Sequence, residues 1–302
     1  MAVITSGNFP QALRPGINAI WGAAYAKHEP EYPMLFEMNT STRNYEEDVL
    51  QTGFGLAPVK AEGASVSYDS ESQGYTSRHT HVNYGLGFII TEEAIEDNEY
   101  MKMAETRTPA LAFSMQQTHE NVGANVFNNG FDSDFTGGDG VELFSTSHPT
   151  INGNQSNHLT TAADLSEASL EDLSVQIMRA TNERGHNIRI MPQCLAVPPQ
   201  LFYEAHRIYD STLQNDSANN AVNVLKAQSV LPEGIKINHY FTDVDAWFIL
   251  TNAPRGMVHY QRRDVKISSD NDFDTTNAKY KATERYSAGW VDWRGAYGSP
   301  GA

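Results

Sequence analysis

The chain has 302 residues, of which 40% are hydrophobic and 10% aromatic, and this content suits one large or two modest globular domains and excludes a disordered tail. Its formal net charge of −16 is opposite in sign to that of a free-standing nucleic-acid binder. A single cysteine, Cys194, excludes an intrachain disulfide.

The first 50 residues are predicted to form an extended arm. Prolines break any long helix in this segment, at Pro10, Pro15, Pro30 and Pro33. An arm with so little core of its own must lie on a larger surface. The sequence leaves open whether that surface belongs to the same chain or to a neighbour.

The clearest strand pattern lies between residues 54 and 90. Its apolar members alternate with polar or small residues and are Val66, Tyr68, Val82, Tyr84, Leu86 and Phe88. The polar run 69–74 predicts the tip of a long hairpin whose arms are residues 64–68 and 82–90. Because a two-stranded ribbon is marginal in water, we expect other parts of the fold, or another chain, to cover it.

A long helix is predicted next. Thr91 is in position to cap its first turn, where Glu92 and Glu93 lie near the positive end of the helix dipole. A helical stripe of apolar residues then continues to an Asn-Asn-Gly stop at 128–130. Pro109 either begins a second helix or kinks a single long one.

The second half of the chain alternates helices and strands. After a polar loop at 131–162, the pattern predicts a helix that is capped by Ser169 and ends at Gly185. Strands are predicted at 188–197 and at 246–251. This alternation indicates a compact α+β or α/β lobe.

A basic-faced strand and a tryptophan-rich tail close the chain. Lys279, Lys281 and Arg285 fall on one face of the strand, and Trp290 and Trp293 follow it. Further cations precede them at Arg262, Arg263 and Lys266. This cluster could meet phosphate, the acidic stretch 92–105 of another copy, or only solvent. Given the total charge, we rank subunit contact above nucleic acid.

No enzyme or cofactor motif occurs in the sequence. His79 and His81 share one strand face as possible metal ligands, but no third ligand lies at the expected spacing. The helix carrying His119 fails the zinc-protease pattern, because Gly123 stands where a second histidine is needed. We therefore predict no catalytic residue, cofactor or metal site. A metal-dependent hydrolase using His79, His81 or His119 is the alternative from another class.

Three stretches, taken with the order of elements, resemble a known family. They are LAVPPQLFYEAHRIY at 195–209, DVDAWFILTNAPRGMV at 243–258 and KATERY at 281–286. An extended arm, a long hairpin, a long helix, a mixed lobe and a basic strand follow one another. Across essentially the whole chain this resembles the major capsid proteins of tailed bacteriophages with the HK97 fold. It is similar in particular to the head-subunit group typified by phage Mu.

The resemblance implies an α+β fold in four parts. They are an N-arm (1–50), an E-loop hairpin (51–90), a P-domain with a long spine helix (91–162 and 265–286) and an A-domain (163–264 and 287–302). The apolar hairpin residues would form one subunit interface. Glu92 and Glu93 would meet Lys279, Lys281 and Arg285 of a neighbour. Trp290 and Trp293 would anchor the returning tail.

The resemblance also implies a function without catalysis or cofactor. Hexamers and pentamers of the chain would assemble in the host cytoplasm into an icosahedral shell, the virion capsid, around double-stranded phage DNA, without a membrane. Portal, separate scaffold and decoration or cement proteins are the implied partners. An encapsulin-like nanocompartment is the alternative on the same fold. Some family members cross-link through an E-loop lysine, but Lys60 is placed near the hairpin base and residues 69–74 hold no lysine, so we expect no cross-link here.

Overall fold

The computed structural model describes residues 20–96, 100–213, 221–272 and 277–302. Its helices are α1 (20–25), α2 (Glu92–Glu96), α3 (Tyr100–Asn128), α4 (Glu167–Met178), α5 (Phe202–Tyr209) and α6 (Val224–Ala227). Its strands are β1 (Glu37–Thr40), β2 (Tyr45–Gln51), β3 (Gln73–Thr80), β4 (Val82–Ile90), β5 (His148–Thr150), β6 (Gly153–Gln155), β7 (Pro192–Val197), β8 (Ile235–Ile237), β9 (Trp247–Thr251), β10 (Met257–Asn271), β11 (Ala278–Trp290) and β12 (Ala296–Ser299). Of the predicted N-arm, residues 1–19 lie outside the described residues.

The first sheet is built on the long hairpin of β10 and β11. Its strand order is β1-β10-β11-β4, with β1 parallel to β10 and the other pairs antiparallel. The alternation predicted for the closing strand is confirmed, because Tyr280, Ala282 and Tyr286 are buried while Lys279 and Lys281 are exposed. One face of this sheet is therefore apolar and the other basic.

Helix α3 covers the apolar face. Its 29 residues span about 44 Å at 1.5 Å per residue, and Pro109 lies inside it. Leu111 and Met115 pack with Trp21 of α1 against Ala282 of β11. The predicted stop is confirmed, since the helix ends at Asn128.

The second sheet forms the core of a mixed lobe. Its strand order is β12-β9-β7-β8, and residues alternate between two apolar clusters along β9. Trp247 and Ile249 face the cluster that includes Leu173 of α4, whereas Phe248 faces the cluster that includes Phe127 of α3. Since both faces are buried, this sheet joins the long helix to the lobe.

The helix boundaries in the lobe differ from the prediction. Ser166, not Ser169, caps α4, and Ser169, the third residue of the helix, completes a capping box in which both side chains accept backbone N–H groups. The helix ends at Met178 rather than at Gly185. The apolar spacing predicted the helix, but either serine is a good cap, so spacing alone could not choose between them.

The predicted pairing of residues 64–68 with 82–90 is wrong. β3 pairs instead with β2, from Tyr45 opposite Thr80 to Gln51 opposite Gln73. β4 pairs with β11, because that strand presents a matching row of aromatic rings. Tyr84 stacks on Tyr286 at 4.7 Å between ring centroids. A cross-strand aromatic pair of this kind fixes the register of β4 on β11.

Candidate assembly surface

A ribbon of β2 and β3 carries a long irregular loop, and we call residues 45–80 the finger and residues 52–72 the finger loop. The loop contains no helix or strand. Its large apolar side chains are mostly bare, with Leu56 78%, Val59 100% and Tyr68 94% exposed. Because exposed apolar groups are concentrated on this one segment, the finger loop is the candidate surface for contact with another molecule.

The base of the finger is fixed to the first sheet. Asp48 of β2 is buried, accepts a 2.5 Å hydrogen bond from the Tyr260 hydroxyl and pairs with Arg255. Arg255 lies in a turn and adopts a left-handed backbone conformation with φ of 56°. On β3, the Tyr75 hydroxyl donates to the Val291 carbonyl at 3.1 Å. The finger therefore has a rigid root and a bare loop.

A tether joins the finger loop to the lobe. The Arg184 Nη1 lies 2.9 Å from the Asp69 Oδ2, and the same guanidinium donates to the Ser70 carbonyl. Asp69 also accepts the Gly55 backbone N–H at 2.7 Å. The backbone N–H groups of Gly55 and Ser70, followed by Arg184, hold the pKa of Asp69 below its usual value. The carboxylate thus stays charged and keeps the loop attached near its C-terminal end.

The predicted interface residues of the hairpin fall into two groups. Val66 and Tyr68 lie on the finger loop and are exposed. Val82, Tyr84, Leu86 and Phe88 lie on β4 in the first sheet. Of these, Val82 and Leu86 are half-exposed, whereas the rings of Tyr84 and Phe88 pack on their own chain.

Lys60 lies in the middle of the finger loop, next to the fully exposed Val59. The prediction that it lies near the base of the finger is wrong, because residues 64–68 form no strand and the loop begins earlier in the chain.

The predicted charged interface residues are spread along the first sheet and the helix after it. Glu92 and Glu93 form the first turn of α2. Lys279 pairs with Asp272 of its own chain at 2.6 Å, and Arg285 donates to the His81 carbonyl. The side chain of Lys281 is exposed, and no hydrogen bond or ion pair joins its ammonium group to the part of the chain that the structure describes. Lys266 and Arg263 lie opposite Thr283 and Arg285 on the same face.

The two tail tryptophans lie in and beside the lobe. Trp293 is buried, and its ring stacks on His148 at 4.3 Å. Trp290 is half-buried and packs against the apolar clusters on both faces of the second sheet. Burying two indoles removes a large apolar area from water and holds the end of the chain against the lobe.

A buried ionic network beside Trp293 was missed in the sequence. Arg294 is 2% exposed, pairs with Glu183 at 2.9 Å and with Asp292 at 3.2 Å, and donates to the Thr181 carbonyl at 3.0 Å. Its guanidinium also lies over the Trp293 ring. No spacing rule connects residues more than a hundred positions apart, so only the fold could reveal this network.

The histidines considered as metal ligands have other partners. His81 is hydrogen-bonded to Ser41 and Ser287, at 2.9 Å each, while His79 packs beside Tyr260. Within the described ranges, no group of three or more His, Cys, Asp or Glu residues could hold a metal ion.

A buried cluster of rings lies between α3 and the first sheet. His119 is sandwiched between Tyr32 and Tyr286, with 3.9 Å between ring centroids on each side. Its Nε2 lies 2.8 Å from the Nε2 of His259, and its Nδ1 lies 3.5 Å from the carboxylate of Glu284. Burial, followed by the neighbouring His119, lowers the pKa of His259 to about 3. Burial likewise lowers the pKa of His79 to about 4, with His81 as the second cause.

These two histidines should make the subunit acid-labile. Both are neutral in the folded chain and take up a proton near pH 6.5 when it unfolds, so stability is present above that pH and is lost as the pH falls toward the folded pKa values. Between about pH 7 and pH 5 each should reduce the free energy of unfolding by about 2 kcal/mol. Urea unfolding at both values measures the loss. The variant His79→Gln should show about half of it, and an equal loss in that variant would contradict the assignment.

Among the described residues no helix is both long enough and apolar enough to cross a membrane.

Comparison with known proteins gives one family and one fold. A family model described as phage capsid protein matches residues 74–299. A search of curated proteins found no match.

Solved structures with low sequence identity share the fold. The capsid of the native GTA particle is 8% identical, with 88% of each chain covered and a TM-score of 0.56. The procapsid of bacteriophage JBD30 is 14% identical over 98% of this chain and 76% of that chain, with a TM-score of 0.52. The virus-like particle from Pyrococcus furiosus is 10% identical over 94% and 97%, with a TM-score of 0.51. These likenesses concern the fold and confirm the predicted α+β architecture of the HK97 type.

Proposed function

The chain belongs to the phage capsid protein family, and on this premise we propose that it is the major capsid protein of a tailed bacteriophage. Copies of it assemble as hexamers and pentamers into an icosahedral shell around double-stranded DNA. The observation that carries the proposal is the bare apolar surface of the finger loop, because a single copy leaves Leu56, Val59 and Tyr68 in water.

The physical properties of the chain suit a shell wall. A standard protein interface buries about 1,600 Å², and a projecting finger spreads such an area over more than one neighbour. Weak contacts then add up through multivalency. The net charge of −16 on each copy repels phosphate, so a shell of many copies encloses DNA without binding it tightly. Assembly of this kind needs neither catalysis nor a cofactor.

We propose the four-part division of the family with one change. Residues 1–44 form the N-arm, which ends where β2 begins, 91–162 with 265–286 form the P-domain, and 163–264 with 287–302 form the A-domain. The projecting E-loop is better bounded as the finger, residues 45–80, because β2 and β3 are its two arms. β4 then belongs with the P-domain sheet.

We also propose the contacts between subunits and the partner proteins that the family resemblance implies. Val66 and Tyr68 face a neighbour, and Glu92 and Glu93 meet the basic face of the next copy. Portal, scaffold and decoration or cement proteins are the expected partners, and the virion is the expected location. Membership in the Mu-like head-subunit group stays a prediction.

Negative-stain electron microscopy of the purified chain tests the proposal. We expect closed shells of uniform size, with nuclease-protected DNA in particles isolated from infected cells. Empty, smaller shells associated with a cargo enzyme would favour an encapsulin-like nanocompartment. A protease-resistant monomer that stays monomeric at high concentration would contradict both.

A further inference from the structure

A cavity of about 270 Å³ lies between α3 and the segment 25–32, which begins at the end of α1. Its lining comes from that segment and from the middle of the helix. Ala26 and His28 are exposed, whereas His119 and Glu120 are only 3% and 5% exposed. The cavity therefore has an open mouth on the segment and a buried floor on the helix.

The side chains on the floor present hydrogen-bond acceptors. The two carboxylate oxygens of Glu120 accept the backbone N–H groups of Glu31 and Tyr32, at 2.8 Å each, and each oxygen can accept a second bond. Gln116 donates through its Nε2 to the Tyr25 carbonyl at 2.6 Å. Its Oε1 is buried and has no hydrogen-bond partner among the described residues. Because an unsatisfied buried acceptor is costly, the floor lacks a donor group.

The surroundings of the cavity are negatively charged. Glu284 is 1% exposed and lies behind His119, with its carboxylate 3.5 Å from the Nδ1 of that ring. In the part of the chain that the structure describes, neither Glu284 nor Glu120 forms an ion pair with a lysine or an arginine. Burial raises the pKa of Tyr32 to about 12, with the charges of Glu284 and Glu120 as the next causes. Since an unpaired buried charge is costly, the donor that the floor lacks should be a cation.

The walls of the cavity favour an organic cation over a metal ion. A metal needs several His, Cys, Asp or Glu ligands together, and no such group occurs among the described residues. Tyr25 and Tyr32 add aromatic rings, which are fixed by stacking on Trp21 at 5.8 Å and on His119 at 3.9 Å. Aromatic faces attract cations, and they also pack against alkyl stems. A primary ammonium group has three donors on an alkyl stem and so suits both the acceptors and the rings.

We propose that this cavity binds a primary ammonium group that is carried on an alkyl chain. The ammonium donates to the Glu120 carboxylate and to the Oε1 of Gln116, and the alkyl chain lies against the rings of Tyr25 and Tyr32. Both a free alkyl diamine and the lysine side chain of a partner protein carry this group. The site lies within one subunit, so the inference does not depend on the proposed shell function.

Isothermal titration calorimetry of the unassembled full chain tests the proposal. The probes are putrescine for a free diamine, Nα-acetyl-lysine amide for a lysine side chain, and butanol for an alkyl chain without the charge. We expect one amine to bind one-to-one and butanol not to bind. Tighter binding of putrescine would support a free diamine as the ligand, and tighter binding of the lysine amide would support a partner protein. If neither amine bound at about 10 mM, or if butanol bound as well as the amines, the inference would be overturned.

Three variants locate the binding. Glu120→Gln removes the charge and Gln116→Met removes the unpartnered acceptor, and each should weaken amine binding at least tenfold, since hydrogen bonds to charged groups are the strong ones. The matched control is Glu29→Gln, which removes one charge close to the mouth, although Glu29 is exposed and does not line the cavity. Its affinity should stay within about twofold of the parent chain, because exposed charges are screened.

Circular dichroism checks that each variant is folded. If Glu120→Gln fails to fold because it leaves a backbone N–H group unpaired, Gln116→Met still gives the answer. Parent affinity in the folded variants of Glu120 and Gln116 would contradict the site. Shell formation is scored in a separate experiment, so a failure of the proposed function leaves this result unaffected.

Discussion

Replacing Leu56 and Val59 together with aspartate is expected to abolish assembly while the subunit stays folded. Leu56 is 78% and Val59 100% exposed in a single copy, so the substitution removes little contact within the chain. In a shell, burying two such side chains is worth roughly 3–6 kcal/mol, and two charges would have to be desolvated in addition. Since about 1.4 kcal/mol corresponds to a tenfold change, the critical concentration should rise at least 100-fold.

Sedimentation velocity measures that change, and circular dichroism confirms that the variant is folded. The matched control is Leu56→Met with Val59→Ile, which keeps the apolar volume and should assemble as the parent chain does. If the aspartate variant formed shells at the parent concentration, the finger loop would not be a subunit contact.

Replacing Arg294 with alanine is expected to reduce the free energy of unfolding by about 3–5 kcal/mol. The change leaves the buried Glu183 carboxylate and the partly buried Asp292 without their cation, and it removes the donor to the Thr181 carbonyl. Chemical denaturation of the unassembled subunit measures the loss. The arginine joins the tail to the loops before β7, so these parts should also exchange amide protons faster.

An exposed ion pair provides the control. Arg207 of α5 pairs with Glu204 at 2.9 Å but is 63% exposed, and its replacement by alanine should cost less than about 1 kcal/mol. Adding Glu183→Gln to Arg294→Ala should recover part of the lost stability, because the unpaired charge disappears. A loss below about 1 kcal/mol in the Arg294 variant would show that the network does not hold the tail.

The sequence predicted well those helices and strands whose hydrophobic periodicity or end signal lies within a single segment. The alternation along β11 and β4 and the stop after Asn128 each depend on residues within one segment. The pairing of β4 could not be read in the same way. Residues 64–68 and β11 both offer an alternating partner, and only tertiary packing chose β11.

The candidate surface was predicted in part. Val66 and Tyr68 were identified because they alternate with serines. Leu56 and Val59 belong to no such alternation, so the sequence did not indicate that they are exposed. The root of the finger depends on Asp48 meeting Arg255 and Tyr260, more than two hundred positions later. Contacts of that range are set by the fold and leave no local signal in the sequence.

The ion pair between Arg184 and Asp69 gives the finger a second attachment to the rest of the subunit, between the finger loop and the lobe. The other attachment is the root, where the buried Asp48 accepts a hydrogen bond from the Tyr260 hydroxyl. Arg184 lies in the turn that precedes β7 in the lobe. Because the Arg184–Asp69 pair is accessible to solvent, dissolved salt screens it, with a screening length of about 8 Å at physiological ionic strength. Rising salt concentration therefore weakens the attachment of the finger loop to the lobe.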